Sequence, residues 1–183
     1  MNEDKLQKLL WSIAIPGFGQ LLNRKIFKGI IFIFLEFVIN YNSNLNTSIM
    51  LSFNGKVNEA IEVTNYQWLL FYPCVYVFAM WDAVREAKGE NPPFYYLPFV
   101  FGAYLGTVGI IYSRSLTIFT ILLGPVFLGI IFFVSGIFLG NSIRYILNKK
   151  TFKYSSIIRD CKILNNNHSN FLIITDNHFK ITL

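Results

Sequence analysis

Glu36 lies inside the apolar run Ile30–Ile39. A carboxylate among apolar neighbours is costly to ionise, so it is paired, protonated or turned toward a cavity. Such a residue suits a proton or cation site, or a polar lock between helices. The plainer alternative is a protonated or snorkelling side chain near the end of the run, where Asn40 and Asn42 follow. Asp82 has Arg85 three residues on, a spacing that brings both to one helix face as an interfacial ion pair. The alternative for Asp82 is a contact point for a cytoplasmic partner. The two carboxylates belong to different apolar runs and are expected toward opposite faces of a bilayer, which excludes a shared acid–base pair. Cys74 lies in an apolar run and Cys161 in a polar tail, depths too different for a disulfide. His168 and His178 both lie in that tail and read as solvated polar residues. There is no phosphate-binding glycine loop with its lysine and no zinc-ligand spacing. No catalytic residue, metal or cofactor is therefore expected, and the chain reads as non-enzymatic.

The elements that would carry these residues are apolar. The chain has 183 residues, 54% hydrophobic and 14% charged, where a soluble domain carries about 25% charged residues. Its charges are also clustered, and Tyr66–Met80, Phe94–Ser113 and Leu116–Ser142 carry none. A soluble fold of this size could not hide so much apolar surface, whereas a bilayer can. The net charge of +6 sits beside these runs. No basic patch is interleaved with stacking aromatics, so the partner expected is a lipid bilayer and no nucleic acid. The mixed charges of Met1–Lys8 and the lack of a small-residue cleavage site argue against a cleaved signal peptide.

The fold expected is all-α, a polytopic transmembrane helical protein. A crossing helix needs about 20 apolar residues. About Tyr66–Ala83, Phe94–Ser113 and Leu116–Ile143 meet that length. About Ile26–Tyr41 is shorter and gains reach if Lys25 and Lys28 snorkel. Leu9–Leu22 has only 14 residues, about 21 Å as helix, and is broken by Pro16-Gly17-Phe18-Gly19. It reads as a re-entrant or interfacial segment, with a crossing, and so five spans, as the alternative. With four spans and cytoplasmic termini, 14 of the 16 Lys and Arg residues lie inside, leaving Lys56 and Arg114 outside. Asn42–Asn65 would be an outer polar loop and Arg85–Pro93 a short cytoplasmic one. Residues 1–148 form the transmembrane helical domain and 149–183 a cytoplasmic tail, either disordered or with a small hairpin of Phe171–Thr175 and Phe179–Leu183.

Gly102 and Gly106, and again Gly136 and Gly140, have the four-residue spacing that lets helices approach closely in lipid, either within the chain or against a partner. Pro73, Pro98 and Pro125 lie in or near spans, where prolines kink helices. Trp11, Tyr66, Trp68, Trp81, Tyr95, Tyr96, Tyr112 and Tyr145 mostly fall at predicted boundaries, as interfacial anchors do.

Pro16-Gly17-Phe18-Gly19-Gln20-Leu21-Leu22-Asn23, followed by Lys28-Gly29 and an apolar run, resembles the hairpin of small bacterial membrane proteins related to the TM2 domain. A similar hairpin precedes the core of some bacterial sugar-transporter permeases. The resemblance covers about Ser12–Ile39. It implies a compact membrane hairpin whose glycines and Asn23 make the turn, with Lys28 at the headgroups. Leu22 stands where the family usually has an aromatic, and the His-Arg-Phe-Tyr signature of typical TM2 domains is absent. That family has no single chemistry, so the likeness implies location and not mechanism.

Three functions follow as expectations. The first is a non-enzymatic accessory or scaffold subunit of the cell membrane, associating with a membrane-protein partner or with itself through helix packing. The second is a transporter or channel component using Glu36. The third is a small immunity or stress protein of the membrane.

Overall fold

The computed structural model describes residues 2–118 and 120–167, with side chains described as far as Thr151. The chain is mostly helical. The order is α1 (Glu3–Ala14), α2 (Phe18–Leu22), α3 (Ile26–Ser43), α4 (Leu45–Phe53), α5 (Val57–Val63), α6 (Tyr66–Leu69), α7 (Tyr72–Glu86) and α8 (Leu97–Tyr112). A two-stranded hairpin, β1 (Thr117–Ile118) and β2 (Ile121–Leu122), then precedes α9 (Gly124–Asn167). The strands are antiparallel, with Thr117 opposite Leu122 and Ile118 opposite Ile121. The chain divides into two compact units, Met1–Arg144 and Tyr145–Leu183. The tail hairpin expected at 171–183 lies outside the described residues.

Two helices, Ile26–Ser43 and Gly124–Thr151 within α9, are long and apolar enough to cross a membrane, where four spans are expected from sequence. Leu97–Tyr112 is apolar but shorter. The difference has a local cause. Pro73, Pro98 and Pro125 are the second residues of α7, α8 and α9. A proline in the first turn loses no helical hydrogen bond, because its N–H would be unpaired there anyway. These prolines start helices rather than kink them. The stretch from Tyr66 is thus split into α6 and α7, and Leu116–Leu122 becomes turn and hairpin instead of the start of a span.

The expected polar loop Asn42–Asn65 is largely helical. Asn44 closes α3 in the left-handed conformation (φ 56°), which asparagine tolerates better than most residues. The chain then doubles back as α4 and α5. Their small polar residues face inward: the Thr64 hydroxyl donates to Ala60 O at 2.6 Å and lies 2.9 Å from Ser48 Oγ. Leu45, Leu69 and Ile110 form the core beneath this cap, with Ile49, Tyr66, Leu70 and Tyr72 against it.

Burial departs from that of a water-soluble protein. Ser12, Gln20, Ser43, Ser48 and Ser113 are fully buried, while Phe27, Phe37 and Tyr41 are 79%, 68% and 75% exposed. Large apolar side chains turned outward, with small polar groups buried beside the apolar core, are stable where the surrounding solvent is hydrocarbon. With the two long apolar helices, this associates the chain with a membrane.

α8 and α9 run antiparallel and meet on their glycines. A side chain at Gly102 would strike Phe133, and one at Gly109 would strike Leu128 O and Phe132. Gly136 rests on the backbone of Phe101 and Gly102, and Gly140 on that of Leu97 and Pro98. Both G-x-x-x-G pairs are therefore used within the chain.

Candidate functional site

α7 is the post around which the site is built. It packs against α1, α2, α3 and α8. Its contacts give each neighbour a register. Asn2 caps α1 by accepting from Lys5 N at 3.1 Å, and its amide donates to Lys88 O at 2.8 Å. Asp4 accepts from Lys88 N at 2.8 Å, and the buried Lys5 ammonium donates to Glu90 O at 2.6 Å and Asn91 Oδ1 at 2.7 Å. At the other end of α1, Ile13 O accepts from the Tyr76 hydroxyl at 2.6 Å. α1 thus runs antiparallel to α7, from beyond its C-terminal end to the level of Tyr76, about 15 Å back along the axis.

The chain turns there. Gly17 holds φ 107°, open to glycine and strained for other residues. Its missing side chain makes room for Gly29 O and Ile33 of α3. Gly19 fits in the same way against Ser12, Ala83 and the Lys8 carbonyl. α2 then climbs back along α7. The fully buried Gln20 amide donates to Ala79 O at 2.7 Å and Asp82 Oδ2 at 3.1 Å, and the Asn23 amide donates to Ala83 O at 2.8 Å. Lys28, on the first turn of α3, donates to Asp82 Oδ1 at 2.9 Å and to Glu86 Oε1 at 3.3 Å. Lys25 reaches Glu86 Oε2 at 3.8 Å.

This polar clamp ties the hairpin to Asp82 through Gln20 and Lys28, with Asn23 on Ala83 O, while Gly17, Gly19 and Gly29 let its segments approach closely. The ion pair expected between Asp82 and Arg85 is not formed. Helix phase turns Asp82 inward, 3% exposed, toward α2 and α3. Arg85 stays outside, its guanidinium 5.2 Å from the Trp81 ring centroid. Sequence reasoning missed Glu86 as the second acceptor for Lys28. It also missed the part of Gln20, which stood in the hairpin motif as the residue two after its central Phe18.

The second site lies further along α3. Phe32 packs on Phe78, and four residues on the Glu36 carboxylate accepts from the Tyr72 hydroxyl at 3.2 Å. Tyr72 and Tyr76 stack with ring centroids 5.3 Å apart. The other Glu36 oxygen, Oε2, is buried without a hydrogen-bond partner. Among the described residues no ion pair reaches Glu36, and no cluster of three metal-ligating side chains forms. Because Ile13 O meets Tyr76, the tip of the α1–α2 hairpin abuts this group. The i, i+4 pair Tyr72 and Tyr76 was the available signal, since both fall on one face of one helix.

Outside the clamp, the Asp4 carboxyl is held below the usual carboxylate range, first by the Lys8 side chain and then by the Lys88 N–H. No family model, curated protein or solved structure matches the chain.

Proposed function

We propose that this chain is a non-enzymatic, multi-pass protein of the cell membrane that serves as an accessory or scaffold subunit through helix–helix association. The observation that carries this reading is the outer face of α3. Phe27, Ile30, Phe34, Phe37 and Tyr41 recur at three- and four-residue spacing and are 58–79% exposed. With the α8 and α9 glycines occupied by each other, this seam is the face that α3 offers to a helix of a second copy or of another membrane protein. The charged groups around Asp82 support the same reading, because they are engaged in holding the chain's own helices together.

In this reading α3, the α6–α7 pair, α8 and α9 cross the bilayer, and the α1–α2 hairpin enters one leaflet and returns. Within Met1–Arg144, Lys5, Lys8, Arg24, Lys25, Lys28, Arg85, Lys88 and Arg144 belong to one end, and Lys56 and Arg114 to the other. That eight-to-two bias supports a cytoplasmic N-terminus. The P-G-x-G-Q hairpin supports kinship with TM2-related membrane proteins.

The test is crosslinking in native membranes. In a background without Cys74 and Cys161, single cysteines replace Phe34 and Phe37, and a short bis-maleimide is added. Adducts with a second copy or a distinct membrane protein are expected. A monomeric purified protein and no adduct at either position would sink the reading.

A second reading, a transporter or channel component, is favoured by Glu36 beside the tip of a non-crossing hairpin, since interrupted helices at mid-depth line substrate and ion sites. Glu36→Gln should then change solute or ion flux in proteoliposomes. Equal flux in both forms counts against it.

A further inference from the structure

We propose that Glu36 is a reversible proton-binding site at mid-depth in the membrane, closed on one side by the hairpin tip. The proposal deepens the second reading above by naming the ligand of that same site. Glu36 lies two helical turns, about 12 Å, along α3 from Lys28, which marks the charged end of the helix. One carboxylate oxygen has a single neutral donor, the Tyr72 hydroxyl. The other is buried without a hydrogen bond of good geometry, and the neutral Asn40 amide is the further polar group acting on the carboxylate. An ionised carboxylate in that setting leaves its charge uncompensated, and a proton on the bare oxygen removes the charge without needing any other group to move.

The neighbours from every packed element are consistent with this. α7 contributes Tyr72 and Tyr76, while the ionisable side chain of α6, Tyr66, is engaged by Ser113 and Arg114 instead. α2 and α4 carry no ionisable side chain. On α3 itself the other charged residue is Lys28, held by Asp82 and Glu86, and Asn40 stands one turn beyond Glu36. A metal cation would require several oxygen ligands, whereas a proton needs the one that is free. The hairpin makes the site conditional. Tyr76 is tied to Ile13 O, and Gly17 lies against Ile33, one turn before Glu36. Withdrawal of the tip would open this side of the carboxyl.

Carbodiimides add to carboxyls that carry a proton, so they report the site directly. The full chain in proteoliposomes is treated with dicyclohexylcarbodiimide, which partitions into lipid, and separately with a water-soluble carbodiimide. Modified residues are located by peptide mass spectrometry from mildly acidic to mildly alkaline pH. The lipid-soluble reagent should modify Glu36, with yield falling as pH rises, and Glu36→Gln should abolish that adduct. The water-soluble reagent should spare Glu36 while modifying the exposed Glu59 and Glu62. Tyr72→Phe removes the donor that favours the charged form, so the midpoint of the yield curve should move up by about half to one pH unit. No Glu36 adduct at any pH, or equal modification by both reagents, overturns the proposal. A Glu36 adduct with no Glu36-dependent flux leaves the proton site standing and removes only the transport reading.

Discussion

Removing Lys28 should damage the fold more than neutralising Asp82, although the two form one ion pair. The asymmetry follows from burial. The Asp82 side chain is 5% exposed and that of Lys28 is 44% exposed. In Lys28→Met, Asp82 keeps only the Gln20 amide at 3.1 Å as a donor, and a buried carboxylate is stranded. Breaking a buried pair from that side costs about 3–5 kcal/mol, with the lower end expected because Asp82 can take up a proton. In Asp82→Asn, Lys28 keeps Glu86 at 3.3 Å and solvent, and Gln20 keeps Ala79 O. That variant loses about 1 kcal/mol, the size of one net hydrogen bond discounted for exposure. The double variant strands no charge and should cost about 1–2 kcal/mol, less than Lys28→Met alone. For a chain of this length each kcal/mol moves the melting temperature by about 2–4 °C. Thermal unfolding in mild detergent, followed by loss of the monodisperse size-exclusion peak, reads the order. The reasoning is refuted if Asp82→Asn melts at or below Lys28→Met, or if the double variant is the least stable of the three.

Three other outcomes are expected. Gly136→Ala places a methyl on the Phe101 carbonyl and should force α8 and α9 apart at a cost of about 1–3 kcal/mol, while Gly106→Ala meets ordinary contacts of 3.4 Å and should melt near the parent; equal melting temperatures would contradict the glycine-to-backbone packing. The lowered Asp4 pKa means that its tie to Lys88 N contributes fully above the unfolded value of about 3.9 and is lost as pH falls through the folded value. Exchange protection of the Lys88 amide, corrected for intrinsic rate, should therefore collapse in the acid range, and Asp4→Asn should remove that dependence. Finally, with Cys74 and Cys161 removed, an impermeant thiol reagent on intact cells should label a cysteine at Asn54 and spare those at Asn2, Asn23 and Gly89; labelling at Asn2 would mean that the N-terminal segment crosses.

The sequence by itself determined what depends on composition and on neighbours along the chain. The density of apolar residues and the shortage of charge point to lipid as solvent, because that balance is a sum over residues and needs no fold. Pro16-Gly17 marks a turn, since the constraint on φ is local. The helix content of the long runs follows from the same local rules. What escaped was every property that depends on which face meets which partner. Asp82 has Arg85 within reach on its own helix, and only the packing of α2 and α3 against α7 brings Lys28, 54 residues away, closer to it. The glycine pairs look alike in sequence, yet Gly136 meets backbone and Gly106 meets the ordinary surface of Phe133 and Pro73. Asn42–Asn65 reads as loop because its residues are polar, whereas α4 turns Ser48 inward to bond Thr64 at the end of α5. Glu36 was legible as a costly carboxylate, but its surroundings were not. Tyr72, Tyr76 and the tip of the hairpin converge on it only because α1 and α3 each run antiparallel to α7, and that register is set by side chains at the far end of the helices.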